Sequence, residues 1–446
     1  KKYKPMVEEK VTQATGRQFS LGEDIDLSVF PWVGVKVTDV KFGNPKGFSQ
    51  DQMVSVDRFE VRLKVMPLLS RKIEIKTFVL DKPQIFLQRL KDGSANWENL
   101  GPEKTAAAPK KEEPKAETSG KGLPISDLQV GSFEVNGGQL IFKDDAAGLE
   151  KKVTDLNLIL ANISLDKPID ITFGAQLDGK PVSLEGSAGP VGPNPGKGTL
   201  PIDLALKLVN ELDVKIKGSL TDPAVSQGFD MNVEVAQFSL RKLLAAVDMP
   251  MPVKTKDPSV LEKIALNINA KGNPKSISLN NGTFQLDEST LKFSAAAKDF
   301  SKPDLKFDLQ LDIINLDRYL PESQAGETKA EPEKKPVQGK GTKPDYTPLR
   351  KLVLDGKIKV GNMIASGAKV EDVDVHIKAK NGVINLDPMD LKLYGGFVDA
   401  MTIVNVQKNT PKIALKLLAD KIMVGPLMKD ALKKELIEGT MQSSLD

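Results

Sequence analysis

FEVRLKV (residues 59–65) sets Phe59, Val61, Leu63 and Val65 on one side of an extended chain and Glu60, Arg62 and Lys64 on the other. Such alternation marks a strand with one face on a hydrophobic surface and one in water, the usual state of an antiparallel sheet. KIEIK (72–76) repeats it with Ile73 and Ile75, and LDVKIKG, MNVEVAQF, LKFDLQLDII and VDVHIKA carry it onward. Asn-Gly pairs at 136–137, 281–282 and 381–382 supply the positive-φ residues of tight hairpin turns. At about five or six residues each, the alternating runs predict roughly twenty strands. The expected class is all-β with a few short helices.

A second pattern interrupts the first. LKVMPLL (63–69), FSLRKLL (238–244), INLDRYL (314–320) and IMVGPLM (422–428) each place apolar residues at their positions 1, 3, 6 and 7. The first two continue a strand, and the pair follows after a helical step. Leu240, Leu243, Leu244 and Val247 then form an i, i+3, i+4, i+7 stripe. Each copy predicts a strand running into a short helix or turn, with the apolar pair as packing.

Two stretches lack a buriable face. Residues 101–121 contain no branched aliphatic or aromatic side chain, and residues 321–347 contain only Val337 and Tyr346. Pro, Glu, Lys and Ala alone cannot offset the entropy of ordering, so both read as disordered linkers. They divide the chain into an N-terminal block at 1–100, a central block at 122–320 and a C-terminal block at 348–446.

The 446 residues carry 63 Lys and Arg against 60 Asp and Glu, and the charges alternate along the chain. A nucleic-acid binder concentrates its basic residues to release counterions, so nucleic acid is not an expected partner. Cysteine is absent, which removes disulfides and thiolate sites. No apolar run approaches the ~18 residues that cross a bilayer. The chain starts at Lys1, and its last residues, LIEGTMQSSLD, break off in a strand-like pattern. It therefore reads as a segment from which a targeting or spanning piece is missing, with a truncated C-terminal block.

Twist of ~20° or more per strand pair forces a sheet of twenty strands to curl, split or close. Tandem β-sandwiches bury the apolar face against protein. A long, twisted, mostly antiparallel sheet curled into an apolar groove leaves that face for another hydrophobic occupant.

ATGRQFSLGEDIDLSVFPWVGVKVTDVKFGNPKGF (14–48) resembles the start of the AsmA family of bacterial envelope proteins, with its TGR triplet, FPW step and Gly-Asn-Pro loop. MPLLSRKIEIKTFVLDKPQIFLQRLKDGSANWENL (66–100) continues the resemblance through Asp92-Gly93 and Asn96-Trp97. NGVINLDPMDLKLYGGFVDA (381–400) is similar to a second characteristic region, with Tyr394-Gly395-Gly396. The resemblance implies a periplasmic protein anchored to the inner membrane by an N-terminal helix missing here. It also implies an architecture like that of TamB and chorein-type bridge proteins, whose β-groove conducts phospholipid between membranes. Residues 1–16 are then a helix leading from a membrane, and an outer-membrane protein is a candidate distal partner.

An acyl chain costs ~0.8 kcal/mol per methylene in water, so a carrier needs continuous apolar cover and no specific recognition. The groove candidates are Val61, Leu63, Ile73, Ile75, Ile85, Leu87, Val214, Ile216, Val233, Val235, Leu266, Ile268, Phe307, Leu309, Val373 and Val375. The expected ligand is phospholipid or another acyl-chain lipid. The competing expectation is a periplasmic scaffold for outer-membrane biogenesis that acts through protein contacts.

No catalytic grouping, metal site or cofactor motif is recognised, and the chain is not expected to be an enzyme. His376, flanked by Val375 and Ile377, has no second histidine or thiol with which to hold zinc, and reads as a solvated strand residue. Asp144-Asp145 reads as a turn, and Tyr394-Gly395-Gly396 as a bend or bulge.

Overall fold

The computed structural model describes residues 4–29, 32–69, 74–98, 129–300, 303–321, 345–434 and 437–446. The linker at 101–121 lies outside them, as do residues 322–344 of the second linker. Two compact units divide the chain, residues 1–210 with 222–225 and residues 211–221 with 226–446.

The first unit holds β1 (Phe19–Ser20), β2 (Ile25–Ser28), β3 (Val33–Gly43), β4 (Gln52–Leu63), β5 (Glu74–Arg89), β6 (Gln129–Asp144), β7 (Leu149–Ile163), β8 (Ile169–Leu177), β9 (Lys180–Ala188) and β10 (Thr199–Leu208). Both β1 and β2 pair with the outer edge of β3, and from there each strand pairs with the next as far as β10.

The second unit holds β11 (Leu212–Thr221), β12 (Gly228–Phe238), β13 (Ile264–Asn273), β14 (Ser276–Leu286), β15 (Ser289–Lys298), β16 (Asp304–Asn315), β17 (Val353–Ala365), β18 (Ala368–Lys380), β19 (Val383–Leu393), β20 (Gly396–Asn405), β21 (Lys412–Met423) and β22 (Thr440–Leu445). These too pair in sequence order. The chain is mostly β with few short helices, as its alternation predicts.

All ladders are antiparallel except β5 with β6 and β16 with β17. These two pairings are also the places where a linker separates consecutive strands. Parallel neighbours need a connection that returns along the strand, so a long linker is what the topology demands there. The blocks on either side of each linker thus share one ladder, Phe78 opposite Phe133 and Leu309 opposite Ile358.

Short helices follow four strands where the repeated pattern predicts them. They are α2 (Val65–Leu69) after β4, α3 (Leu240–Ala246) after β12, a 3-10 turn (Leu316–Arg318) after β16 and α5 (Val424–Leu432) after β21. The Ser239 side chain caps α3 by accepting from the Lys242 amide at 3.2 Å. Two further helices are α1 (Lys4–Thr15), expected at the N-terminus, and α4 (Thr347–Lys351) before β17.

Two of the three Asn-Gly pairs do not make hairpins. Asn381-Gly382 is a true turn between β18 and β19, with φ of 52° and 74°. Asn136-Gly137 lies within β6 and Asn281-Gly282 within β14, each beside a register shift. Their positive φ serves a bulge, which also needs the left-handed region.

The Asn136-Gly137 bulge belongs to a line across the first unit. Asp39 (φ 52°), Lys82 (φ 44°), Gly137 (φ 61°) and Asp155 (φ 51°) interrupt β3, β5, β6 and β7 at neighbouring positions. In sequence these four lie in the two-residue polar steps Thr38-Asp39, Asp81-Lys82, Asn136-Gly137 and Thr154-Asp155, and Asp57-Arg58 makes the same step in β4. A strictly alternating strand would send its apolar residues to the wrong face beyond such a step. The shared break resets the phase in five strands together. Arg58 pairs with Asp81, Asn136 donates to Asp81 at 2.9 Å, and the Gly137 amide donates to Asn157 at 3.0 Å. Bulges bend a sheet and increase its twist. Along this line Val37, Val56 and Val135 are buried.

Candidate functional site

The registers join the apolar positions of successive strands into continuous rows. In the second unit one row runs Val214, Val235, Leu266, Phe284, Leu291, Leu311, Val360 and Val373. A second runs Phe293, Leu309, Ile358, Val375 and Met389, and Ile216, Val233 and Ile268 form a matching short row. In the first unit Val61, Phe78, Phe133, Leu160 and Ile171 lie side by side. So do Val54, Ile85, Leu140 and Val153. Leu63 stands opposite Ile75, and Leu87 opposite Phe142. Ile73 lies outside the described residues.

None of the described candidates except Ile268, at 7% exposure, is fully buried. Val61, Leu63, Ile75, Ile85, Leu87, Val214, Ile216, Val233, Val235, Leu266, Phe307, Leu309, Val373 and Val375 are half-buried. Residues between two stacked sheets lose nearly all their accessible surface, so among the described residues no second layer covers this face in either unit. Tandem sandwiches are therefore not what the sequence forms. Only fourteen hydrophobic residues are buried among those described.

Phenylalanines lie flat on this face, over glycines of the neighbouring strand. A Cβ on Gly282 would stand 2.6 Å from the Phe293 ring, and one on Gly272 2.9 Å from Phe229. A Cβ on Gly356 would clash outright with Phe307. The rings fill the gap that glycine leaves and keep the apolar surface low. In the first unit Phe78 stacks on Phe133 at 5.3 Å and meets Phe59 edge-on at 5.0 Å.

Polar groups hold the strand ends. In the first unit Asn96 is fully buried; it accepts from the Gln88 amide at 2.9 Å and donates to Phe86 O at 2.7 Å and Asn44 Oδ1 at 2.8 Å. Gln88, 2% exposed, accepts from Ser49 and donates to Asp145 at 2.6 Å. Arg17 donates to Glu98 O at 3.0 Å. The TGR triplet, the Gly-Asn-Pro loop and Asn96-Trp97 thus meet in one knot. In chemistry they are structural.

In the second unit the rim bearing α3, the 3-10 turn and α5 is tied by carboxylates. Asp287 accepts from the amides of Leu261, Glu262 and Lys263 and from the Tyr319 hydroxyl at 2.8 Å. Burial alone pushes the Asp287 carboxyl up, but these donors outweigh it and hold it below the ordinary value. Ser259 and Arg318, donating to Asp257, lower its carboxyl to about 2. Asp317 accepts from the amides of Ser366 and Gly367. Asp430 accepts from Tyr394 at 2.9 Å and Lys369 at 3.0 Å, and the Lys369 contact chiefly lowers its carboxyl. Tyr394-Gly395 (φ 46° and 80°) is the turn between β19 and β20 that aims the tyrosine at α5.

Among the described residues no cluster of His, Cys, Asp or Glu is placed to hold a metal ion. His376 is half-buried rather than solvated, with Nε2 2.7 Å from Asp355. That hydrogen bond lowers the Asp355 carboxyl. Asp144 closes a turn by accepting from the amides of Ala146 and Ala147, each at 3.0 Å. No described helix is long and apolar enough to cross a membrane.

Comparison with known proteins bears on this one-faced sheet. A model of the AsmA family matches residues 1–237 and 194–446. The chain belongs to the AsmA family. AsmA family proteins are bacterial envelope proteins. One curated relative, AsmA family protein YhjG of Escherichia coli (strain K12), is 23% identical over 98% of this chain and 68% of its own length. Another, Protein AsmA of Escherichia coli (strain K12), is 22% identical over 35% of this chain and 27% of its own length. No solved structure matches.

Proposed function

We propose that the apolar face of this AsmA-family chain holds the acyl chains of phospholipid in a hydrophobic β-groove. The full-length protein works in the periplasm, anchored to the inner membrane, and conducts lipid between the inner and outer membranes. The observation that carries the reading is the set of unbroken apolar rows that stay half-exposed in both units. Water against such rows is costly at about 25 cal/mol per Å², and hydrocarbon removes that cost without specific recognition. Sliding asks only for similar side chains from strand to strand, which Leu309, Ile358, Val375 and Met389 supply. No acid-base or nucleophilic grouping is needed, and we place the chain outside the enzymes.

Native mass spectrometry of the gently purified chain tests the reading. Adducts of phospholipid mass are expected, and Leu309→Asp is expected to remove them while the chain stays folded. Leu309 is half-buried, so a carboxylate there keeps access to water. Protein that is consistently empty, or a Leu309→Asp chain that unfolds, assigns the face to protein contacts instead. That outcome describes an assembly scaffold.

A further inference from the structure

The face of the second unit turned away from the apolar rows changes character at β20. Val375, Met389 and Ala400 share an apolar row, so Asp374, Asp390 and Asp399, one residue along, lie on the opposite, outward face. Their row runs Lys292, Gln310, Lys359, Asp374, Asp390 and Asp399, and its next member is Leu418 in β21. A second outward row, Lys306, Asp355, Lys378 and Asn385, runs into Ile403. Glu371 and Lys392 run into Phe397. Met401 lies between Asp399 and Ile403 on the same side of β20. With Val398, Ala400 and Val404 facing the apolar rows, β20 is apolar on both sides. Phe397 is 41% and Leu418 46% exposed, and Met401 and Ile403 are half-buried.

Within this outward patch the register sets Asp374 opposite Asp390 and Asp390 opposite Asp399, a juxtaposition of like charges that costs stability. The bases around them are engaged. Lys359 holds Asp374 at 3.0 Å, Lys392 holds Asp372 at 2.8 Å, Lys416 holds Asp446 at 3.5 Å, and Lys378 stands opposite Asp355. Asp390 and Asp399 have no ion pair or hydrogen bond among the described residues. Burial first, and then Asp399, Asp374 and Asp387, push the Asp390 carboxyl up. Among the described residues these carboxylates are not placed to hold a metal ion. The cation that suits them is one carried on another chain, beside apolar groups that match Phe397 and Leu418.

We infer that the outward face of β20 and β21 docks a basic amphipathic helix of another polypeptide. A strand adds to a sheet's edge, whereas a helix covers its face. Phe397 and Ile403 stand about 20 Å apart along β20, and Asp374 and Leu418 about 14 Å apart across the strands. A helix of about 14 residues has that length and a width of about 10 Å. Its apolar stripe lies on Phe397, Met401 and Leu418, and its Lys or Arg side chains reach Asp390 and Asp399. Charge complementarity selects this occupant. A second copy of the same face would set carboxylate against carboxylate, and an anionic membrane surface is repelled for the same reason. The docking surface is independent of what occupies the apolar rows on the other face.

Two fluorescent amphipathic peptides of about 14 residues, one of Leu and Lys and one of Leu and Glu, offer the same apolar stripe with opposite charge. At low salt the chain is expected to bind the Leu-Lys peptide about tenfold more tightly, and about 0.5 M salt to remove most of the difference. Asp390→Asn with Asp399→Asn is expected to reduce the preference to about twofold. The urea midpoint of that variant holds or rises, because the repulsion is gone. Phe397→Ser with Leu418→Ser weakens the Leu-Lys peptide about tenfold. Leu417→Ser, on the row of Met389 and Ala400, leaves it unchanged. A photoreactive residue at 418 crosslinks the peptide, and one at 417 does not. Equal binding of both peptides, a preference that survives the Asp→Asn pair, or crosslinks at 417 in place of 418 overturns the assignment. An Asp→Asn pair that lowers the urea midpoint assigns the carboxylates to the fold and overturns it too.

Discussion

Replacing Asn96 removes the centre of the knot at one end of the first unit. Its side chain is fully buried and makes three hydrogen bonds, to the Gln88 amide, the Phe86 carbonyl and Asn44 Oδ1. In Asn96→Ala three polar groups lose a partner, and each buried group left unsatisfied costs about 1–3 kcal/mol. Allowing for relaxation and one entering water, the loss is about 3–5 kcal/mol. Asn96→Asp preserves shape but sets carboxylate oxygen against two other oxygens, so it is at least as damaging. Urea unfolding followed through Trp97, in a Trp32→Phe background, measures both, with a shifted midpoint and an unchanged slope as the stability signature. A loss below 1 kcal/mol for both variants refutes the knot as a structural device. The Asn-Trp pair would then act in recognition.

Two other perturbations follow from the same geometry. Gly356→Ala is expected to cost about 1–3 kcal/mol by displacing the Phe307 ring, and Phe307→Leu in the same chain to recover much of it; a double-mutant cycle with no coupling contradicts this. The bonds to Asp257 depress its folded pKa, so their stabilisation is complete above the ordinary carboxylate value of 3.8 and disappears as pH falls towards about 2. Hydrogen exchange in residues 249–263 is expected to quicken across that window, and Asp257→Asn to abolish the dependence.

The fold was legible wherever a single residue reports its own face. Phe59, Val61 and Leu63 announce their side, and the Leu-Leu pairs at 243–244 and 68–69 announce a helical step. The break at Asp39, Lys82 and Gly137 was also written in the chain, as two polar residues inside an alternating run. Its meaning depends on the neighbouring strand having the same step at the same depth, which one strand cannot show. Asn136-Gly137 misled for that reason, since hairpins and bulges both need its positive φ. The parallel pairings were hidden because alternation carries no strand direction. The motif residues were visible through the family resemblance, but Asn96 and Gln88 find partners at separations of up to 57 residues. Their burial appears only after folding.

Whether hydrocarbon occupies the apolar rows is best tested within a single strand. Ile358 lies in a row between Leu309 and Val375, and Lys357, its neighbour in the chain, points to the opposite face. A photoreactive residue at each position, illuminated in membranes carrying radiolabelled phospholipid, reads the two faces under identical conditions. Label at 358 and none at 357 is the predicted result. Equal labelling at both, or protein crosslinks alone at 358, contradicts a lipid-holding face.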